Sequence, residues 1–63
     1  MPVDEALMQQ MDEAATQARI DLEQNIDNWS GRDMIIWWSK WYMKTGHKRL
    51  GRILVGMGKT LSK

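Results

Sequence analysis

Apolar residues recur every three or four positions through the first half of the chain, and polar residues fill the positions between them. This spacing places the apolar side chains on one side of a helix. No proline or glycine interrupts residues 3–30, and Asp4 is a suitable N-cap, so the pattern predicts a helix over residues 4–27. Alanines at the centre of the stripe leave room for a close neighbouring helix or for bulky aromatic rings. The stripe comprises Val3, Leu7, Met11, Ala14, Ala15, Ala18, Leu22, Ile26 and Trp29.

Residues 28–31 predict a turn followed by a second helix. Ser30 is a good N-cap, and Asp33 stands three residues later, as in a capping box. Trp29 and Met34 occupy the positions of a hydrophobic staple around that cap. The second helix is therefore predicted over residues 32–45.

Gly46 leaves two interpretations of the segment after it. A left-handed Gly46 would end the helix, and the chain would restart as a third helix over residues 47–57. Alternatively, one continuous helix tolerates the glycine, because apolar residues with heptad spacing run through this region. Residues 58–63 are rich in glycine and polar residues and are predicted to form a frayed tail. The heptad-spaced residues are Ile36, Met43, Leu50 and Met57.

These elements predict an all-α fold in one small domain over residues 1–63. The short connection favours an antiparallel helical hairpin, with a third helix if Gly46 splits the second. Two helices alone leave much apolar surface in contact with water. We therefore expect self-association, or docking of a protein partner, to complete a bundle.

The composition narrows the means of stabilisation and the class of protein. The chain has 63 residues and no cysteine, so it forms neither disulfides nor thiolate metal sites. No apolar run approaches the roughly 20 residues that a membrane span requires. Residues 1–5 lack the basic start of a signal peptide, and the absence of cysteine fits a reducing compartment, so we expect a cytoplasmic protein.

Opposite charges separate into the two halves of the chain. Residues 1–31 carry seven acidic side chains and one basic one, whereas residues 32–63 carry eight basic side chains and one acidic one. One interpretation is a basic half that binds a polyanion. The other is that acidic and basic helices of the same molecule attract each other, which steers packing more than it stabilises it.

Aromatic and basic residues alternate in the second half and form the candidate binding site. Three of the four tryptophans fall within residues 37–41. Such a surface suits a protein partner or a second copy; its alternatives are single-stranded nucleic acid, by base stacking and phosphate contacts, and an anionic membrane surface. In a competing interpretation the indole rings fill the alanine stripe of the first helix as core. The candidate residues are Trp37, Lys40, Trp41, Lys44, Lys48, Arg49 and Arg52.

No set of residues predicts an enzyme, a metal site or a bound cofactor. Residues 56–60 resemble the end of a phosphate-binding P-loop, but Ile53 stands where that motif needs its first glycine. His47 is the single histidine of the chain, so it has no imidazole partner for a metal. We therefore predict a small non-enzymatic interaction or adaptor protein.

Overall fold

A computed structural model describes residues 4–61, and these form three α-helices. α1 spans Glu5–Asn25, α2 spans Gly31–Tyr42 and α3 spans Lys48–Leu61, with a short 3-10 turn at Ile26–Asn28 after α1. The part of the chain described contains no strand, and the helices pack against one another in a body of 41 × 16 × 16 Å. The predicted all-α fold is therefore confirmed.

Both predicted N-caps form, and each satisfies backbone amides that a helix start leaves without a partner. The Asp4 carboxylate accepts hydrogen bonds from the amides of Ala6 at 3.1 Å and Leu7 at 3.3 Å. At α2, the Ser30 amide donates to the Asp33 carboxylate at 3.0 Å, and the Asp33 amide donates to the Ser30 hydroxyl at 3.5 Å. The capping box predicted from the sequence is thus confirmed.

Gly46 separates α2 from α3. Its φ is +66°, and its amide donates to the Tyr42 carbonyl at 2.8 Å. Side chains with a Cβ adopt this left-handed conformation at a cost of about 1–2 kcal/mol, so the turn suits glycine. The structure therefore has the split helix and not the continuous one. α2 ends at Tyr42, three residues before the predicted end, and Met43 of the heptad-spaced set points outward with 78% of its surface exposed.

The core forms where α1 meets the other two helices. The Trp37 indole lies over the alanine stripe with 3% exposure, and its N–H donates to the Ala18 carbonyl at 3.0 Å. Eight residues after Trp37, Thr45 lines a depression together with Gln10, which precedes Ala18 by eight residues. α2 therefore runs antiparallel to α1. The alternative in which an indole ring fills the alanine stripe is therefore confirmed for Trp37. The buried apolar residues are Met11, Ala14, Ala18, Leu22, Trp37, Leu50 and Leu54.

α3 runs antiparallel to α2 and extends beyond its predicted end. Trp38 donates its indole N–H to the Gly51 carbonyl at 3.2 Å, whereas a Cβ at Gly58 would lie 3.4 Å from the Met34 methyl group. Residues 58–61, predicted as frayed tail, are helical because Leu61 packs against the core. Residues 62–63 of that tail, and residue 3 of the predicted stripe, lie outside the described residues.

Substitution of Gly46 tests the turn that separates α2 from α3. Gly46→Ala should lower the free energy of unfolding by about 1–2 kcal/mol, because alanine is strained at positive φ. Gly46→Asn should lower it by less, since asparagine tolerates this conformation better than other residues with a Cβ. Urea denaturation followed by circular dichroism measures both. Equal losses for the two variants would contradict the explanation by backbone strain.

Candidate functional site

The seven candidate residues do not form one surface. Trp37 is in the core, so it is withdrawn from any ligand in this conformation. Lys40 and Lys44 flank Trp41 at the junction of α1 and α2. The three basic residues of the set on α3 lie elsewhere: Lys48, Arg49 and Arg52.

The Trp41 group is occupied by contacts within the molecule. The Lys40 and Lys44 ammonium groups lie 5.0 Å and 5.7 Å from the centroid of the Trp41 ring. The indole N–H donates to the Asp21 carboxylate at 3.4 Å, and the Lys40 ammonium lies 4.0 Å from that carboxylate. Cations held over an aromatic ring at exposed sites contribute about 0.5–1 kcal/mol each. These residues therefore join α2 to α1, and the partly buried Trp41 ring lines a depression between those two helices.

A second group lines a groove between α2 and α3, which we call the α2–α3 groove. It consists of two adjoining depressions of about 410 Å³ each, which share Trp38 and Val55. Lys48 and Arg52 line one depression, and Lys59 lines the other. Apolar side chains on the two helices form the floor: Ile35, Trp38, Tyr42 and Val55.

Two stacked aromatic rings shape this floor, and the sequence analysis did not include them in the candidate site. The Trp38 and Tyr42 ring centroids are 4.7 Å apart with planes 9° from parallel. A Cβ at Gly51 would lie 2.9 Å from the Tyr42 ring and 3.2 Å from the Trp38 ring, so only glycine lets the pair lie on α3. The detectable signals were the four-residue aromatic spacing and a glycine inside a helix, which often marks close packing.

The positive charge of α3 is not neutralised within the fold. The helix carries four basic residues and no acidic one. Among residues 4–61 the ion pairs are Arg19–Glu23, within α1, and Lys40–Asp21, between α2 and α1. Neither joins α1 to α3. Within that range, attraction between the acidic and basic helices is therefore limited to the Lys40–Asp21 pair at 4.0 Å. The rim of the α2–α3 groove stays positive.

The outer side of α2 exposes several large apolar residues. Three of the most exposed large apolar residues belong to α2 or its C-cap: Ile35 at 68%, Ile36 at 57% and Met43 at 78%. The aromatic and basic side was the predicted binding surface, but Trp37 turns inward because the alanine stripe supplies both apolar contact and a carbonyl acceptor for its N–H. Because Trp37 points toward α1, Ile35 and Ile36 lie on the side of α2 that faces solvent.

Neither metal-binding groups, nor membrane-spanning helices, nor comparison with known proteins indicates a function. Residues 4–61 hold no group of three or more His, Asp or Glu side chains placed to bind a metal ion. Over the same span, no helix combines the length and apolarity needed to cross a membrane. Comparison of the chain with protein-family models, curated proteins and solved structures finds no match. The function must therefore be argued from the geometry of the groove.

Substitution of Gly51 tests how the groove floor is built. Gly51→Ala should lower the free energy of unfolding by about 1–3 kcal/mol, because the added methyl group displaces the stacked rings. Gly56→Ala is the control on the same helix. A Cβ there meets nothing within 4 Å, so this change should raise stability by up to about 1 kcal/mol. Chemical denaturation of both variants is the measurement, and a stabilised Gly51→Ala protein would contradict the packing described.

Proposed function

We propose that this chain is a non-enzymatic helical interaction module that binds a protein partner in the α2–α3 groove. The observation that supports this most directly is an open apolar floor bordered by cations without an ion-pair partner among residues 4–61. Large apolar side chains held in water favour association, since burial contributes about 25 cal/mol per Å² of apolar surface. A protein element supplies the apolar surface that such a floor requires.

Nucleic acid and an anionic membrane surface are less well supported. Stacking of bases needs aromatic rings with a free face beside cations, but Trp37 is buried, and the Trp41 indole N–H and Lys40 are engaged with the Asp21 carboxylate of α1. In the groove, Trp38 and Tyr42 stack on each other, so one face of each ring is covered, and the aliphatic side chains beside them offer bases no stacking surface. The cations of the rim alone would contact phosphates. A flat membrane surface contacts the rims of a groove between two helices better than its floor.

Self-association is a second candidate, and a different edge of α2 supports it. Ile36 and Met43 are exposed, seven residues apart, and line neither depression of the α2–α3 groove. Seven residues make about two helical turns, so both side chains lie on one side of the helix. A second copy that packs this edge against the same edge would form a two-fold symmetric contact.

Substitution of two adjacent isoleucines distinguishes binding in the groove from binding elsewhere on the surface. The probe is a synthetic amphipathic helix with leucines on one side and neutral glutamines on the other. Ile35→Ser should weaken its binding about tenfold because apolar contact in the groove is lost, whereas Ile36→Ser should leave it unchanged. Fluorescence anisotropy of a labelled peptide gives the affinities, and movement of the Trp38 indole N–H signal in NMR locates the contact.

Equal weakening by both isoleucine variants would count against the groove, as would binding that leaves the Trp38 signal in place. The peptide should move this signal. If instead an oligothymidylate or phosphatidylglycerol vesicles move it and the peptide does not, the groove binds nucleic acid or an anionic membrane and not a protein partner.

Mass in solution tests self-association. Light scattering over a range of concentrations should show a mass that rises with concentration, because an exposed apolar edge drives weak pairing. The double variant Ile36→Ser/Met43→Ser should return the mass to that of a monomer, and Ile35→Ser should not. A strict monomer for the unsubstituted chain would reject this candidate and leave the groove proposal standing.

A further inference from the structure

We infer that the partner element in the α2–α3 groove is an acidic amphipathic helix whose carboxylates face Lys48, Arg52 and Lys59. This inference rests on the proposed function, because it names the chemistry of the partner for the same groove. Three features of the described residues support it: unneutralised charge, the spacing of the cations, and the shape of the floor between them and α2.

The charge on the rim has one sign. α3 carries four cations and no carboxylate, and none of its cations joins an ion pair within residues 4–61. Lys48 and Arg52 line one depression and Lys59 the other, so the charge runs along the full groove. A partner with cations here would be repelled, and one with carboxylates would be attracted and oriented.

The cations repeat at an interval that another helix can match. At 1.5 Å rise per residue, Arg52 stands about 6 Å beyond Lys48 along α3, and Lys59 stands about 10.5 Å further. Positions four and eleven residues after a given residue lie on the same side of a helix. A partner helix laid along α3 therefore meets all three cations with acidic residues at the same spacing.

The floor has the form that a helix fits. Ile35, Trp38 and Tyr42 lie at i, i+3 and i+7 on α2, so the apolar floor is a straight strip of about 10.5 Å beside α3. A helix seated between two antiparallel helices buries its apolar side against both, as in a four-helix bundle. An amphipathic helix thus buries its apolar side against the floor and places its acidic side chains beside the cations of the rim.

A second copy of this chain satisfies the groove poorly. Two grooves face to face would bring like charges together. α1 is acidic, but the centre of its stripe is buried in the core at Met11, Ala14, Ala18 and Leu22. Its outer side presents Ile20, at 44% exposure, as its one exposed large apolar residue in the described range. The charge and the apolar surface that the groove requires therefore have to come from another protein.

The test uses three synthetic helices with the same leucines and either glutamate, glutamine or lysine at the three positions that face the rim. The glutamate peptide should bind roughly 3- to 10-fold tighter than the glutamine peptide, and the lysine peptide should bind most weakly. Affinity for the glutamate peptide should fall as salt rises, and affinity for the glutamine peptide should change little.

Variants of matched charge identify the cations responsible. Lys48→Gln/Arg52→Gln should remove most of the preference for glutamate over glutamine. Arg32→Gln/Lys44→Gln removes the same charge from outside the groove and should preserve that preference. These side chains are exposed, so both variants should fold, and circular dichroism checks this.

The outcomes separate this inference from the proposed function. Equal binding of the glutamate and glutamine peptides, with movement of the Trp38 indole signal, would overturn the acidic partner and keep the groove as a protein-binding site. Failure of all three peptides to move that signal would overturn both. Equal effects of the two charge-matched variants would show that net charge, and not the rim of the groove, attracts the peptide.

Discussion

The placement of the Trp37 indole in the alanine stripe of α1 determines how most of the other side chains of α2 are oriented. A tryptophan needs a large apolar surface for its ring and an acceptor for its N–H when buried, and the stripe supplies both, with the Ala18 carbonyl at 3.0 Å. Once that ring points at α1, helical geometry of 100° per residue directs Trp38 toward α3. The isoleucines at 35 and 36 then face solvent.

Glycine decides how α3 closes against this arrangement. Gly46 supplies the left-handed turn that reverses the chain, and Gly51 supplies the close approach that lets two stacked rings lie on α3. Both roles require the absence of a Cβ, but for different reasons: one is a backbone dihedral angle and the other is space. The same contact that docks α3 therefore also forms the aromatic floor of the groove.

Features set by neighbouring residues could be predicted from the sequence, whereas features set by packing between helices could not. Asp4, Ser30 and Asp33 act within a few residues, so both N-caps could be predicted. The rotation of α2 was not predicted. Its aromatic residues fall on one side of the helix, but the sequence alone did not show whether that side packs against the rest of the chain or binds a partner. The candidate site shows the same division. Lys48 and Arg52 line the groove as exposed side chains, whereas Trp37 reaches it only as a core residue with 3% exposure. Lys59 was missed because its segment depends on packing of α3 for its helix.

α2 carries more large apolar side chains than its two neighbouring helices cover. α1 covers the side of α2 that carries Trp37, and α3 covers part of the side that carries Trp38 and Tyr42, so the Ile35 side remains in water. This exposure is costly for a chain of 63 residues, whose core supplies only a few kcal/mol of net stability. The cations that border the same surface add no ion pair to the described fold. Apolar exposure and unneutralised charge thus coincide in one groove, and binding of the proposed acidic helix would relieve both together.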